Sequence, residues 1–429
     1  METHDRLHLR AGELLRQFGV VRAATVALAA GLSAEDQCVQ SMPDASPTKW
    51  HLAHSTWFFE TVVLQSVSAH GVPPYAAFDA HYAFLFNSYY EALGPRHPRP
   101  QRGLLSRPSL QDIHAYRRHV DEAMVAMLRA LAGQIPASAA AGGDVHAVLE
   151  LVELGLHHEQ QHQELLLTDI LHLFSCNPLL PAYRATAVAP NFNPDAGAST
   201  WLSLPGGVMN FGHGDDADPV PDFAFDNETP RHPRLLAPYQ LASRLVTCVE
   251  YLQFVQDGGY TRPQWWLSEG WATVQLHGWS APAYWLAPGD PRRPASHWQV
   301  FGLDGVQPLE PQQPVAQLSF FEAAAYAEWA GARLPTEFEW EAAFSAPGVT
   351  QMMGSVWQWT RSSYEPYPGF RPRSGAVREY NGKFMVGQQV LRGASVATPA
   401  GHSRPSYRNF FPPAARWQFA GLRLARDTP

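Results

Sequence analysis

Hydrophobic residues recur at three- and four-residue spacing through much of the first 175 positions, and this period predicts amphipathic helices. The pattern is clearest in four segments, at residues 11–32, 50–67, 110–133 and 144–174. Ser33 and Ser46 lie near predicted helix boundaries, where their side chains are able to cap a helix. Four such segments in succession predict a helix bundle.

The pattern changes after this region. Residues 176–200 are rich in Pro, Ala and Asn, which is typical of a linker. Beyond them, short strand-like runs alternate with Gly, Pro, Asp and Trp, and one convincing helix is predicted over residues 319–332. We therefore predict an α+β protein with a helical domain at 1–176, a linker at 177–200 and a mixed domain at 201–429.

The segment HHEQQHQELL, residues 157–166, places three histidines within one predicted helix. His158 and His162 are four residues apart on the apolar stripe, whereas His157 points elsewhere. Imidazoles at i and i+4 can bind one metal ion, although a pair of hydrogen-bonded core histidines would give the same pattern. Both interpretations stay open for this segment alone.

A second histidine pair lies in KWHLAHSTWFFE, residues 49–60. His54 shares a helical stripe with large apolar residues, and His51 lies on the flank of that stripe. Three histidines from two helices, His54, His158 and His162, would form a facial metal site inside the bundle. Three neutral imidazoles suit both zinc and non-haem iron, and the spacing does not choose between them.

A long irregular segment, residues 84–108, interrupts the helical pattern. It carries a tyrosine pair, Tyr89 and Tyr90, and several arginines, among them Arg96, Arg99 and Arg102. Long loops inside compact domains are often functional, which favours a lid with a phenol donor and guanidinium groups for a substrate carboxylate. The alternative is a surface loop that its Pro and Arg residues keep extended and soluble.

Charge and cysteine content narrow the classes of function. The net charge of −8 gives no general electrostatic reason to bind nucleic acid or an anionic membrane. Three separated cysteines form no CxxC pair or disulfide framework, which suits a reducing compartment. With a charged, weakly apolar start and no run of 18 apolar residues, we expect a cytoplasmic protein without a signal peptide or membrane span.

Several stretches of the mixed domain resemble a known pattern. They are FAFDNETPRHP at 223–233, DGGYTRPQWWLSEGW at 257–271, APAYW at 281–285, GARLPTEFEWEAA at 331–343, GSVWQWT at 354–360, VLRGAS at 390–395 and YRNFFPPAARWQFAGLRLA at 407–425. Together they resemble the formylglycine-generating-enzyme and sulfatase-modifying domain, a variant of the C-type lectin fold. The preceding bundle resembles the DinB-like metal-binding bundle. This combination resembles the sulfoxide synthases of ergothioneine biosynthesis, with selenoneine synthases as close relatives.

The resemblance implies an iron(II) enzyme that uses dioxygen to join the imidazole C2 carbon of hercynine to a cysteine-type thiol. It implies iron ligands at His54, His158 and His162. Gln161 matches a family position that contacts hercynine, and Asn409 matches a residue near its trimethylammonium group. Tyr89 and Tyr90 look like the tyrosine pair of the branch that uses free cysteine, and would supply a proton or hydrogen atom.

The aromatic residues near Asn409 fit that substrate on independent grounds. A quaternary ammonium group cannot donate an N–H hydrogen bond and favours aromatic faces, which Phe410, Phe411 and Trp417 offer. Each of these residues is equally consistent with plain core packing. The resemblance also implies an Asn-Trp-Asp pattern in the family members that use γ-glutamylcysteine, at the place where this chain has Asn409-Phe410-Phe411. The missing carboxylate favours a smaller thiol or a selenium donor.

Other functions remain open at this stage. The same site suits a selenosugar donor and selenoneine chemistry, or zinc and thiol transfer. A non-catalytic lectin-like module with a structural metal is a further alternative. Formylglycine formation is not expected, because the mixed domain contains a single cysteine, Cys248, and lacks an active pair. The oligomeric state is left open.

Overall fold

The computed structural model describes residues 2–68, 75–133, 145–184, 197–214 and 223–428. Its contacts divide the chain into two compact units. The first, here the helical unit, comprises Met1–Leu173 together with Arg373–Tyr380, and the second, here the mixed unit, comprises Phe174–Pro372 and Asn381–Pro429. The predicted boundaries at 176 and 200 stay a prediction, and residues 185–196 of the predicted linker lie outside the described residues.

The predicted helical segments of the first 175 residues form helices. The helices are α1 (Glu2–Ala29), α2 (Thr48–Phe58), α3 (Gln65–Ser68), α4 (Tyr82–Leu85), α5 (Leu110–Leu131) and α6 (Val145–Ser175). A π-helical stretch, Phe59–Leu64, joins α2 to α3, and short 3₁₀ turns cover Asp36–Cys38, Glu91–Leu93 and Arg99–Leu104. The α+β fold class with a helical first part is therefore confirmed.

The two candidate capping serines have different roles. The Ser33 hydroxyl accepts a hydrogen bond from the Asp36 backbone N–H at 3.1 Å, at the start of a 3₁₀ turn. Ser46 does not cap α2, because Pro47 occupies the cap position and makes no side-chain cap bond. The backbone N–H of Ser46 instead donates to Asp169 of α6 at 2.8 Å.

A buried ion network ties four helices of the helical unit together. Glu159 of α6 accepts from Arg22 of α1 at 2.9 Å and from Arg117 of α5 at 3.0 Å. Arg22 also donates to Asp121 at 2.7 Å and to Thr56 of α2 at 2.9 Å. Burial alone would raise the pKa of Glu159, but the two guanidinium groups lower it to about 2. The carboxylate is therefore ionised and paired inside the bundle.

The mixed unit contains several small sheets. Its strands are β1 (Trp201–Leu204), β2 (Gly207–Phe211), β3 (His232–Leu236), β4 (Tyr239–Ala242), β5 (Trp285–Leu286), β6 (Gln299–Gly302), β7 (Gly305–Pro308), β8 (Trp357–Ser363), β9 (Gln389–Gly393), β10 (Asn409–Phe411), β11 (Ala420–Gly421) and β12 (Ala425–Asp427). They pair in the orders β1-β4-β12, β10-β9-β8-β11, β2-β3 and β5-β6-β7. All pairs are antiparallel except β11 with β8. Heavy loop content and short elements follow the prediction.

The mixed unit also contains helices that the sequence pattern did not reveal. The helix predicted at 319–332 is present as α9 (Phe320–Trp329), where Ser319 and Glu322 form a capping box. The additional helices are α7 (Cys248–Gln256), α8 (Ser268–His277) and α10 (Glu337–Ala342). They have at most ten residues, so few helical turns are available to establish a period. Among the described helices, none has the length and hydropathy that crossing a bilayer requires.

The buried network predicts a large effect of one isosteric change. Glu159→Gln leaves two buried guanidinium groups without their shared counter-charge, so we expect the free energy of unfolding to fall by about 3–5 kcal/mol. Chemical denaturation of both proteins measures this difference. The control is Glu13→Gln, because Glu13 forms an exposed pair with Arg16 and should leave stability unchanged. Equal stability of Glu159→Gln and the wild type would contradict the assigned role.

Candidate metal centre

Helices α2 and α6 bring three histidines together inside the helical unit. His54, His158 and His162 each offer one ring nitrogen, and these nitrogens lie within 4.8 Å of one another. The side chains are at most 9% exposed. Because His158 and His162 are one turn apart on α6, a single residue from α2 completes the group. The metal-binding arrangement expected from the two sequence motifs is thus present as geometry.

Backbone contacts define which nitrogen of His54 is free. Nδ1 of His54 lies 2.6 Å from the carbonyl oxygen of Phe86, and a carbonyl oxygen can only accept. The ring proton is therefore on Nδ1, which leaves the lone pair of Nε2 directed at the centre. That Nε2 lies 3.2 Å from Nε2 of His158. Nδ1 of His158 has no hydrogen-bond partner among the described residues.

Burial keeps the three rings neutral. Desolvation is the largest cause that lowers the pKa of each ring, and neighbouring imidazoles add to it for His54 and His162. The pKa of His158 falls to about 3, again mainly because of burial. At neutral pH all three rings therefore carry lone pairs, which is the form that binds a metal.

The donor set fits a divalent transition metal. Three neutral imidazole nitrogens on one side suit zinc or non-haem iron and leave positions for further ligands. Aromatic rings cover the site, since Trp50 and Trp57 stack on His54 at centroid distances of 4.5 and 5.5 Å and Phe58 packs on His158 at 4.6 Å. Without a metal, a proton shared between His54 and His158 would occupy the lone pairs of those two rings only. A metal cation binds one ring nitrogen of all three histidines.

The tyrosine pair of the 84–108 segment lies in the same unit. Tyr90 is fully buried and packs against Trp57 at 5.5 Å, while Tyr89 is half-buried and stacks on Tyr90 at 4.6 Å. Their hydroxyl oxygens are 3.5 Å apart. Burial raises the pKa of Tyr90 well above the usual value, so its phenol keeps its proton. The catalytic role of the pair stays a prediction.

A third phenol, which no sequence motif indicated, lies beside one of the three histidines. Tyr380 belongs to the short segment Arg373–Tyr380 that joins the helical unit. Its ring centroid is 5.8 Å from that of His158 and 6.4 Å from that of Tyr89. Its hydroxyl donates to the side-chain oxygen of Gln161 at 2.5 Å. Gln161, which is predicted to contact substrate, therefore contacts a phenol that packs beside His158, one of the three predicted metal ligands.

The three predicted substrate arginines occupy different environments. Arg96 is exposed and pairs with Glu91 at 2.7 Å, and Arg99 is exposed and donates to the carbonyl oxygen of Asp44. Arg102 is buried and donates to the hydroxyls of Ser46 and Ser88. All three guanidinium groups therefore hold protein partners, and binding of a substrate carboxylate stays a prediction for each.

The predicted residues near the end of the chain form their own cluster in the mixed unit. Asn409, Phe410 and Phe411 form strand β10, which pairs with β9. Phe410 stacks on Tyr364 at 4.1 Å, and Phe411 meets Trp417 edge-to-face at 6.4 Å. All four predicted residues are half-buried. A role in substrate binding stays a prediction for each of these residues.

Comparison with known proteins agrees with these two units. Residues 17–166 match the DinB superfamily, and residues 188–347 and 344–428 match the sulfatase-modifying factor enzyme 1-like domain. The fold and the three-histidine site thus define a two-domain protein with a DinB-type bundle and a sulfatase-modifying-factor-like domain.

Similar proteins of known function show the family to which the chain belongs. The chain is 35% identical over 322 residues to the hercynine oxygenase of Mycolicibacterium smegmatis, covering 64% of this chain and 71% of that protein. It is 34% identical over 318 residues to that of Mycolicibacterium thermoresistibile, covering 63% and 67%. Ergothioneine biosynthesis protein 1 of Schizosaccharomyces pombe is 25% identical over 236 residues, covering 48% and 28%. The chain belongs to the ergothioneine-biosynthesis family that contains the hercynine oxygenases, which confirms the predicted resemblance.

Removing one imidazole should strongly weaken metal binding. We expect His158→Ala to lower the affinity for iron(II) or cobalt(II) by at least about 100-fold, because only two of the three nitrogen donors remain. Equilibrium dialysis under anaerobic conditions measures bound metal per chain. His157→Ala, one residue earlier on the same helix, is the control and should bind as the wild type does. Undiminished binding by His158→Ala would refute the site.

Proposed function

We propose that this protein is an iron(II)-dependent oxygenase that joins a sulfur atom to the imidazole C2 carbon of hercynine and gives a sulfoxide. The observation that carries the proposal is the buried trio His54, His158 and His162, in a chain 34–35% identical to hercynine oxygenases. The relatives support an oxygenase that acts on hercynine, and the three imidazoles support a transition metal as its cofactor.

The overall reaction balances with dioxygen as the only oxidant. The C2–H bond of hercynine and the S–H bond of the thiol are lost, and a C–S bond and an S=O bond form. One oxygen atom ends in the sulfoxide and the other leaves as water with the two hydrogens. The four electrons removed from carbon and sulfur equal the four that dioxygen accepts. Zinc has no redox chemistry, so this reaction requires a redox-active metal, which we propose to be iron, at the histidine site.

Iron(II) held by three imidazoles on one side would offer adjacent positions for a thiolate and dioxygen, and would acidify the thiol. The protein keeps the three imidazole ligands neutral and excludes water from the site. Burial supplies neutral rings, and Trp50, Trp57 and Phe58 cover His54 and His158. A dry site strengthens each electrostatic interaction inside it.

Proton delivery is assigned to phenols of the helical unit. Tyr380 is placed beside His158, and its proton points at the Gln161 side-chain oxygen. Tyr89 and Tyr90 form a stacked pair whose hydroxyls are in contact. A neutral phenol close to the reacting atoms can deliver a proton or hydrogen atom, which favours C–S bond formation over oxidation of the thiol alone.

The donor is proposed to be a cysteine-type thiol. By the family resemblance, members that use γ-glutamylcysteine have an aspartate at the position of Phe411, which packs against Trp417 in this chain. This position therefore lacks the carboxylate that would hold a γ-glutamyl amine. The same loss is compatible with a selenosugar donor and selenoneine formation, which is the second candidate. Arg96 and Arg99 are exposed and are the guanidinium groups proposed for the carboxylate of cysteine, which would replace the present partners Glu91 and the Asp44 carbonyl.

Product analysis tests the proposal and separates the donors. Iron-loaded protein is mixed anaerobically with hercynine and cysteine, γ-glutamylcysteine or a selenosugar, and oxygen is then admitted. We expect an oxygen-dependent hercynine–cysteine sulfoxide as the main product by mass spectrometry. A selenosugar adduct instead would select the second candidate. The absence of any hercynine adduct, or equal turnover by zinc-loaded protein without oxygen, would remove the oxygenase proposal.

The phenols predict a change in product distribution. The variants Tyr89→Phe, Tyr90→Phe and Tyr380→Phe each lose one hydroxyl and little packing, so the protein should fold and bind metal as before. We expect at least one of these variants to lower the ratio of hercynine adduct to oxidised thiol by about 10²-fold or more, the usual size of general-acid effects. Tyr183→Phe in the mixed unit is the control. An unchanged ratio in all three variants would exclude phenol participation.

A further inference from the structure

A fourth histidine lies between the metal site and a buried carboxylate. His51 of α2 is 2% exposed, and Asp169 of α6 is 7% exposed. Nδ1 of His51 lies 2.9 Å from Nδ1 of His162, and Nε2 of His51 lies 2.9 Å from Oδ2 of Asp169. Asp169 follows His162 by seven residues, or two helical turns, so both side chains face α2.

The direction of the hydrogen bonds follows from the carboxylate. Asp169 also accepts from the Ser46 backbone N–H, so it acts as the acceptor for the Nε2–H of His51. A neutral His51 then has a lone pair on Nδ1, which accepts from the Nδ1–H of His162. The lone pair of His162 is thereby confined to Nε2. The opposite arrangement would place a proton on that Nε2 and prevent metal binding.

The buried guanidinium group of Arg102 supports the hydrogen-bonded chain from Asp169 through His51 to His162. Arg102 donates to the Ser46 hydroxyl at 2.9 Å, and the Ser46 N–H donates to Asp169. The Arg102 guanidinium also lies 3.4 Å from the centre of the Trp50 ring, which stacks on His54. One arginine therefore supports the surroundings of two of the three histidines.

We propose that His51 and Asp169 are positioning residues that fix the tautomer and orientation of His162, so that metal affinity depends on two residues that do not touch the metal. The inference rests on the metal site of the proposed function, but it does not depend on hercynine or on the donor. Hydrogen-bond partners of ligand histidines raise ligand basicity and hold the ring in place.

Metal affinity tests the proposal directly. Cobalt(II) binding is measured by competition with a chelator, and thermal unfolding of the metal-free proteins records any loss of fold. We expect His51→Leu and Asp169→Leu each to lower cobalt affinity by about 10- to 100-fold, the usual size for outer-sphere partners of a ligand histidine. His51→Gln should retain most of the affinity, because its amide oxygen can still accept from the Nδ1–H of His162.

Two further measurements separate positioning from general destabilisation. The double variant should lose little more affinity than either single variant, because both changes break the same chain of hydrogen bonds. The imidazole ¹⁵N shifts of the zinc-loaded wild type should report a protonated Nδ1 on His162. His146→Leu, in the first turn of the same helix where His146 pairs with Glu150, is the matched control and should bind cobalt normally.

The outcomes that overturn the proposal are distinct. Wild-type affinity in His51→Leu and Asp169→Leu would show that His162 needs no positioning partner. A loss in His51→Leu as large as that in His158→Ala would make His51 a ligand itself. A wild type that binds cobalt through this site but converts no hercynine would contradict the proposed function while leaving the positioning role intact.

Discussion

The structure of the helical unit depends on one constraint, the convergence of three uncharged imidazoles in a place that water does not reach. Buried histidines without partners are unfavourable, and close burial also disfavours protonation. The chain meets this constraint by placing two rings one turn apart on α6 and a third on α2. The proposed reaction of dioxygen and a thiol at iron needs the coordination positions that such an arrangement leaves open.

Keeping α2 and α6 in register requires polar contacts as well as apolar packing. Glu159, next to His158, is clamped by Arg22 and Arg117 from two other helices. On the other side of the site, Asp169 connects to His51 and to the Ser46 backbone. A buried ion pair contributes little net stability but specifies one arrangement when its partners are satisfied, and removing one partner is costly. In this unit the specified arrangement is the histidine cluster.

Much of the fold and the histidine cluster could be predicted from the sequence because both depend on local periodicity. The i, i+4 spacing of His158 and His162 and the stripe shared by His54 with Trp50 identify inward-facing positions without knowledge of the partner helix. Contacts between distant segments were not predictable in the same way. Tyr380 is 219 residues from Gln161, and no local pattern connects them. The helical pattern predicts that His51 lies on the flank of its helix. On that flank, His51 contacts His162 and Asp169 of α6. The short helices α7, α8 and α10 lack the turns that make a period visible.

The most direct test of this account is the X-ray absorption spectrum of the iron-loaded protein. We predict imidazole scattering from three nitrogen ligands in the wild type and from fewer in His54→Ala. A wild-type spectrum without histidine scattering, or one that His54→Ala leaves unchanged, would contradict the claim that these three rings hold the metal.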